Sequence, residues 1–385
     1  MKRILFVLTL ISFFSGSYAQ YQVGHRTITF QDPARSNRDI ETEIYYPAAT
    51  AGDNVAVASG QFPVVAYGHG FLMGVSSYEN IWNALCPLGY IVALPTTEGG
   101  SPSHSDFGMD LAFLINKIKS EGTNPSSPFY QSIAATSAVM GHSMGGGSSF
   151  LACAGNAIPT VMVTYAAANT TPSSIHAAQS ITIPSLVISG ESDCVAPPAT
   201  HQLPMYDSLA GNCKIYISIK DGGHCYFANY NFLCTTGEES CNPGGVPLSR
   251  AEQQATTMNF VKPYLDYFLK GNVSSWNSFV DSLTNSSKIT FIKNCEINPG
   301  NISEETSQTK ISIYPSPASD RLTISCSKHG NISAVFFDIT GKYLFSKEVG
   351  VDKAEIDIGR LQQGIYMIKF FSGKEPVFTG RFTKL

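Results

Sequence analysis

Ser143 lies in Gly141-His142-Ser143-Met144-Gly145, a G-x-S-x-G pentapeptide between an apolar run at residues 137–140 and a small-residue stretch at 146–151. A serine in that setting is a candidate nucleophile for acyl transfer, because a strand that turns sharply into a helix exposes the hydroxyl at the strand tip. The flanking glycines are needed because a side chain two residues to either side would collide with neighbouring backbone. A serine hydroxyl barely ionises at neutral pH. Acyl transfer therefore also needs a histidine base, a carboxylate that orients it, and N–H donors for the oxyanion.

In the fold class that places its nucleophile on such a strand-turn-helix, the partners follow in the chain order Ser, then Asp or Glu, then His. Of the eight histidines, His25, His69, His104 and His142 precede Ser143, which leaves His176, His201, His224 and His329. His224 follows the apolar stretch 214–219 and the flexible Asp221-Gly222-Gly223, so it is expected on a loop past a strand's carboxyl end. His176 and His201 sit in helix-forming stretches and His329 in a separate C-terminal region. Asp193 follows the stretch 185–189 through Gly190-Glu191-Ser192, with Val195-Ala196-Pro197-Pro198 opening the next helix. It is preferred to Glu191, to Asp207 inside a helix, and to Asp221, which is too close in sequence to its histidine. The expected oxyanion donors are the N–H of Met144 and the N–H of Phe71, the latter on Gly68-His69-Gly70-Phe71 after an early strand. The side chains of Phe71 and Met144 are expected to border the acyl pocket, and Phe71, His142 and Asn169 are the candidate substrate contacts.

The elements that must position these residues are legible as alternation. Candidate strands are 21–30, 41–46, 62–67, 90–94, 137–141, 160–165, 185–189 and 214–219; candidate helices are 78–86, 106–119, 143–154, 198–209 and 250–269. Leu111, Leu114, Ile115 and Ile118 share one face of the second helix. Short continuous apolar runs alternating with helices predict an α/β fold, a mostly parallel sheet with helices on both faces, with sites at the carboxyl ends of its strands. After residue 310 the period changes to two, at 311–314, 322–325, 334–337, 342–345, 354–358 and 365–370, with turn signals between, which reads as a small all-β sandwich.

Residues 1–19 carry Lys2 and Arg3, an apolar stretch and Ser17-Tyr18-Ala19, the pattern of a secretory signal peptide. The expected organisation is then a catalytic domain over 20–300, a polar linker over 301–310 and a sandwich over 311–385. The full chain has a formal charge of −4. Without Lys2 and Arg3, 23 basic stand against 29 acidic residues, a charge of −6. No basic block suggests nucleic acid as a partner, and no later segment is long and apolar enough for a stable membrane span. Neither C-x-x-C nor H-E-x-x-H occurs, so no metal is expected, and acyl transfer by this chemistry needs no cofactor. Nine cysteines in an exported chain favour disulfides and leave at least one unpaired.

Several stretches within residues 62–229 together resemble the α/β-hydrolase group of bacterial cutinases, polyester hydrolases and platelet-activating-factor acetylhydrolase-like enzymes. They are Gly68-His69-Gly70-Phe71, residues 141–147, residues 183–197, residues 203–209 and Gly222-Gly223-His224. The resemblance implies an α/β-hydrolase fold and serine ester hydrolysis of a lipid, small ester or polyester, with nucleophile, acid and base at Ser143, Asp193 and His224. The cutinase-like polyester hydrolases usually carry a tryptophan where this chain reads Ala166-Ala167-Ala168-Asn169-Thr170-Thr171. Pro95-Thr96-Thr97-Glu98-Gly99-Gly100 is similar to chlorophyllase-like and dienelactone-hydrolase-like relatives. Cys194 beside Asp193 and Cys225 beside His224 suggest a disulfide between the acid and base loops. Cys241 or Cys234 are alternative partners, and Cys86 and Cys153 are expected as buried thiols. Residues 311–385, through Tyr314-Pro315-Ser316-Pro317-Ala318-Ser319-Asp320-Arg321-Leu322, Phe337-Asp338-Ile339-Thr340-Gly341-Lys342 and Leu361-Gln362-Gln363-Gly364-Ile365-Tyr366, resemble the C-terminal sorting domain of the type IX secretion system. That resemblance implies the secretion machinery as a partner and a secreted or cell-surface location. The competing functions are a peptidase or amidase using the same triad and a non-catalytic surface binding protein on a hydrolase scaffold.

Overall fold

Six parallel strands form the middle of a ten-stranded sheet in a computed structural model that describes residues 21–154, 159–296, 311–326, 332–338, 342–349, 352–372 and 375–385. The expected signal peptide, residues 1–19, and linker, residues 301–310, lie outside the described residues. The strands are β1 Gln22–Asp32, β2 Arg38–Ala48, β3 Gly52–Asp53, β4 Phe62–Gly68, β5 Ile91–Pro95, β6 Ile133–His142, β7 Val161–Tyr165, β8 Ser185–Gly190, β9 Cys213–Ile219 and β10 Ile289–Cys295, ordered β10-β9-β8-β7-β6-β4-β5-β2-β1-β3. Pairing is parallel from β5 through β4 to β9. β1, β2 and β10 add antiparallel pairs at the two sides.

The helices are α1 Glu79–Leu85, α2 His104–Glu121, α3 Met144–Ala154, α4 Ser174–Ala178, α5 Gln202–Ser208, α6 Phe232–Cys241, α7 Arg250–Lys270 and α8 Val273–Asn285. Successive side chains of a strand point to opposite faces, so β4 feeds two cores. Val65 and Tyr67 pack with Trp82, Leu85, Phe260 and Trp276 of α1, α7 and α8. Val64 and Ala66 pack with Leu111, Leu114, Ile115 and Ile118 of α2. Every residue of β4, β5, β7 and β8 is buried, which is why these strands read as unbroken apolar runs. Ser103 caps α2 by accepting the Asp106 N–H at 3.2 Å. Each large α2 side chain taken from water contributes about 1.5–3 kcal/mol.

Several elements have no counterpart in the sequence pattern, among them β10, α8 and α6. β10 buries only its end residues, so it lacks alternation; backbone pairing and the Cys213–Cys295 disulfide hold it to β9. α8 buries Trp276, Phe279 and Leu283 against α7, a helix period that the candidate elements left out. α6 buries a carboxylate and exposes its apolar residues, the reverse of the usual signal.

The chain divides into one compact unit ending at Ile297 and another beginning at Asn298. In the second, β11 Ile311–Tyr314, β12 Arg321–Cys326 and β15 Asp352–Asp357 form one antiparallel sheet. β13 Ile332–Asp338, β14 Tyr343–Val349, β16 Gly364–Ser372 and β17 Glu375–Lys384 form a second. Leu322, Ile324, Phe336, Ile368 and Phe382 share their core.

Candidate active site

The turn from β6 into α3 carries Ser143 at φ 54°, a left-handed conformation that non-glycine residues hold only when the surroundings enforce it. Backbone bonds do the enforcing. Ser143 N–H donates to the Tyr165 carbonyl at 3.0 Å, and its own carbonyl accepts from Gly147 and Ala168, both at 2.9 Å. A Cβ on Gly141 would run into the Gly145 backbone, and one on Gly145 into Gly68.

Ser143 Oγ lies 2.9 Å from His224 Nε2, and His224 Nδ1 lies 2.8 Å from Asp193 Oδ2. Asp193 and His224 are 4% and 2% exposed, so water does not compete for these bonds. The second Asp193 oxygen, Oδ1, accepts the N–H of Val195 at 2.9 Å and of Ala196 at 2.8 Å. The acid and base loops extend the β8–β9 pairing: Glu191 N–H donates to Ile219 O and Ser192 N–H to Gly222 O, each at 2.8 Å. Glu191 has its carboxylate on the Asp221 N–H at 3.1 Å, a turn-bracing position that explains why neither residue stands beside the imidazole.

Of the two expected oxyanion donors, neither the Phe71 nor the Met144 N–H has a partner among the described residues. The Phe71 ring is half exposed, whereas the Met144 side chain is buried and does not form an open pocket wall. The loop under Phe71 is fixed by Gly70 N–H on Tyr78 Oη at 2.6 Å and by His69, which bridges Gly70 O and Thr97 O at 2.9 and 2.8 Å.

One of the expected substrate contacts is placed otherwise. His142 has no exposed surface. Its Nε2 is 2.9 Å from the His224 carbonyl and its Nδ1 3.0 Å from Tyr78 Oη. A carbonyl only accepts, so Nε2 carries the proton. Burial holds the ring's pKa well below its ordinary value, with repulsion from His224 in the same direction, so His142 is neutral and Nδ1 accepts from Tyr78. Gly70, Tyr78, His142 and His224 thus form one buried line from the loop before Phe71 to the His224 loop. Asn169 is exposed, but its Oδ1 accepts from Ser173 Oγ at 3.1 Å and Ile175 N at 3.4 Å, closing its own turn. Its N–H donates to Nδ1 of His201 at 2.9 Å. His201, read from sequence as an uninvolved helix residue, is half-buried near the triad; burial lowers its pKa, Asp193 opposes this and His224 adds to it.

The Cys194–Cys225 disulfide is not formed. Cys194 pairs with Cys241 and Cys225 with Cys234, so both loops are stapled to α6 and not to each other. Cys86 and Cys153 are free thiols, and burial pushes both up from their ordinary range. Sequence reasoning also missed the groups that hold the base loop. Gln253 of α7 donates to Gly223 O and accepts Gly223 N–H, both at 2.8 Å, and Glu238 of α6 accepts from the N–H of His224 and, at 3.1 Å, of Cys225. Among the described residues no cluster of His, Cys, Asp or Glu could hold a metal, and no helix is long and apolar enough to cross a membrane.

A serine on a left-handed turn after the central strand of a mostly parallel sheet, with helices on both faces, defines the α/β-hydrolase class. Residues 21–237, more than half of the chain, match the family model described as PET hydrolase-like, and the chain belongs to that family. Residues 312–383 match the secretion system C-terminal sorting domain, which addresses the protein by type IX secretion to the cell surface or the extracellular space. The bis(hydroxyethyl) terephthalate hydrolase of Streptomyces coelicolor is 27% identical over 183 residues, 47% of this chain and 54% of that protein. The match therefore spans about half the length of that relative.

Proposed function

We propose that the protein is a secreted serine ester hydrolase in which Ser143 attacks the ester carbonyl, His224 carries the proton and Asp193 orients His224. The observation that carries this reading is the buried hydrogen-bonded line from Ser143 Oγ through both ring nitrogens of His224 to Asp193. As Oγ bonds to the carbonyl carbon, its proton moves to His224 Nε2, while Asp193 Oδ2 keeps the Nδ1–H and stabilises the imidazolium. The unpartnered N–H groups of Phe71 and Met144 receive the oxyanion. Collapse of the tetrahedral intermediate expels the alcohol, which takes the proton from Nε2. Water then repeats the sequence on the acyl-enzyme, and the carboxylic acid leaves.

The substrate class is a carboxylic ester with an apolar acyl part. Phe71, Leu72 and Val195 are exposed on the loops carrying one oxyanion amide and the acid, and they suit aliphatic or aromatic surface. The name of the relative directs attention to bis(hydroxyethyl) terephthalate and the family description to its polyester. The test is Ser143→Ala in the full secreted chain on p-nitrophenyl acyl esters and bis(hydroxyethyl) terephthalate. Hydrolysis is expected to be lost on both; unchanged turnover would refute the assignment.

A further inference from the structure

α6 is assembled the wrong way round for a surface helix. Phe232 and Leu233 are 67% and 52% exposed, while Glu238 is the helix's single buried residue, at 3%. Burying a carboxylate among protein groups costs free energy unless hydrogen bonds compensate, and a helix free to rotate would turn Leu233 inward instead. It is not free to rotate. Cys234 near its start is bonded to Cys225 of the base loop, and Cys241 at its end to Cys194 of the acid loop. The two staples leave Glu238 under the loop that presents the imidazole.

Resting on the reading of Ser143, His224 and Asp193 as a hydrolytic triad, we propose that Glu238 is a positioning residue for that triad. Its two oxygens clasp the adjacent N–H groups of His224 and Cys225, so that the imidazole stays between Ser143 and Asp193. The close fit is built into the sequence on both sides. A Cβ at Gly223 would strike the Glu238 carboxylate, and Gln253 grips the other edge of Gly223 with two bonds. Here each N–H has its own carboxylate oxygen, whereas an amide side chain would set its NH₂ against one of the two donors. Residue 238 lies one position beyond the stretch that matches the PET hydrolase-like family.

Burial raises the pKa of Glu238, its bonds from His224 and Cys225 and the charge of His224 work against that rise, and Asp193 adds to it. The charged or titratable groups around the imidazole are Asp193 on the acid loop, His142 on β6, His201 before α5, Arg250 on α7 and Glu238 on α6. Glu238→Gln removes a carboxylate from beside the imidazole, a change that the pH profile of the reaction reads.

The experiment compares wild type, Glu238→Gln and Glu238→Asp, as full chains with disulfides intact, on p-nitrophenyl butyrate across pH 5–9. Active serines are counted with a fluorophosphonate and folding is checked by thermal melting. In Glu238→Gln, kcat per titrated serine is expected to fall about 10–100-fold at unchanged KM, and the acid limb of kcat/KM to move to lower pH by roughly half a unit. Glu238→Asp keeps the charge but not the reach, so its kcat stays low while its acid limb returns toward wild type. A wild-type kcat per titrated serine in both variants, or a loss of active serines with the pH limb unmoved, would overturn the proposal. Ser143→Ala is run alongside: activity surviving there would remove the triad reading and not this one alone.

Discussion

Ser143 and His224 are held in place by different physics. Ser143 is fixed by backbone alone, through a left-handed φ, three main-chain hydrogen bonds and glycines at positions where any Cβ would meet main chain. His224 is fixed by side chains drawn from elsewhere: Gln253 from α7, Glu238 from a helix secured by two disulfides, and His142 from β6 through the His224 carbonyl. The first device tolerates almost no change and is local. The second is distributed, so single losses should loosen it by degrees.

This contrast can be broken from either side. The largest effect is expected from Gly145→Val, which drives a branched side chain into Gly68; the secreted protein should carry no serine that a fluorophosphonate can label. Asp193→Asn keeps the shape but reverses the hydrogen-bond preference at Nδ1, and kcat should fall about 10⁴-fold with KM little changed, read on p-nitrophenyl butyrate. Tyr78→Phe takes away the hydroxyl shared by Gly70 N–H and His142 Nδ1. Leaving two buried groups unpaired should lower stability by about 1–3 kcal/mol by chemical denaturation and kcat by about tenfold.

The smallest effect lies outside the site, at His25, which bonds Asp53 at 2.7 Å and also Glu43 on β2. Burial pulls its pKa down, but the two carboxylates outweigh this and the net shift is upward. Its contribution is therefore full below the unfolded value of about 6.5 and disappears as pH rises through the folded value. His25→Gln should reduce stability by less than about 1 kcal/mol at pH 6, because the group is partly solvated, and by less at pH 9.

The same contrast explains what the amino-acid sequence disclosed. A glycine-flanked serine between an apolar run and a helix is a local pattern, and chain order together with loop positions past strand ends then selected Asp193 and His224, which lie with Ser143 in one hydrogen-bonded line. The central strands were legible because both faces are covered. β10 and α6 were not, the first because its middle is exposed and the second because its buried side chain is a carboxylate. The cysteines adjoining Asp193 and His224 invited a direct bridge, yet those loops are already joined by backbone bonds, and the sulfurs reach outward to α6. His142 adjoins the nucleophile in sequence, but the strand's alternation turns it inward against Tyr78, and no local signal distinguishes that from facing the cleft.

In the proposed mechanism one activated serine does the chemistry. Incubating the full secreted chain with a fluorophosphonate until ester hydrolysis stops, followed by peptide mass mapping, tests it directly. A single adduct on Ser143 is expected, formed much more slowly in Asp193→Asn. Full inactivation with the label on another residue, or continued hydrolysis with Ser143 fully labelled, would contradict it.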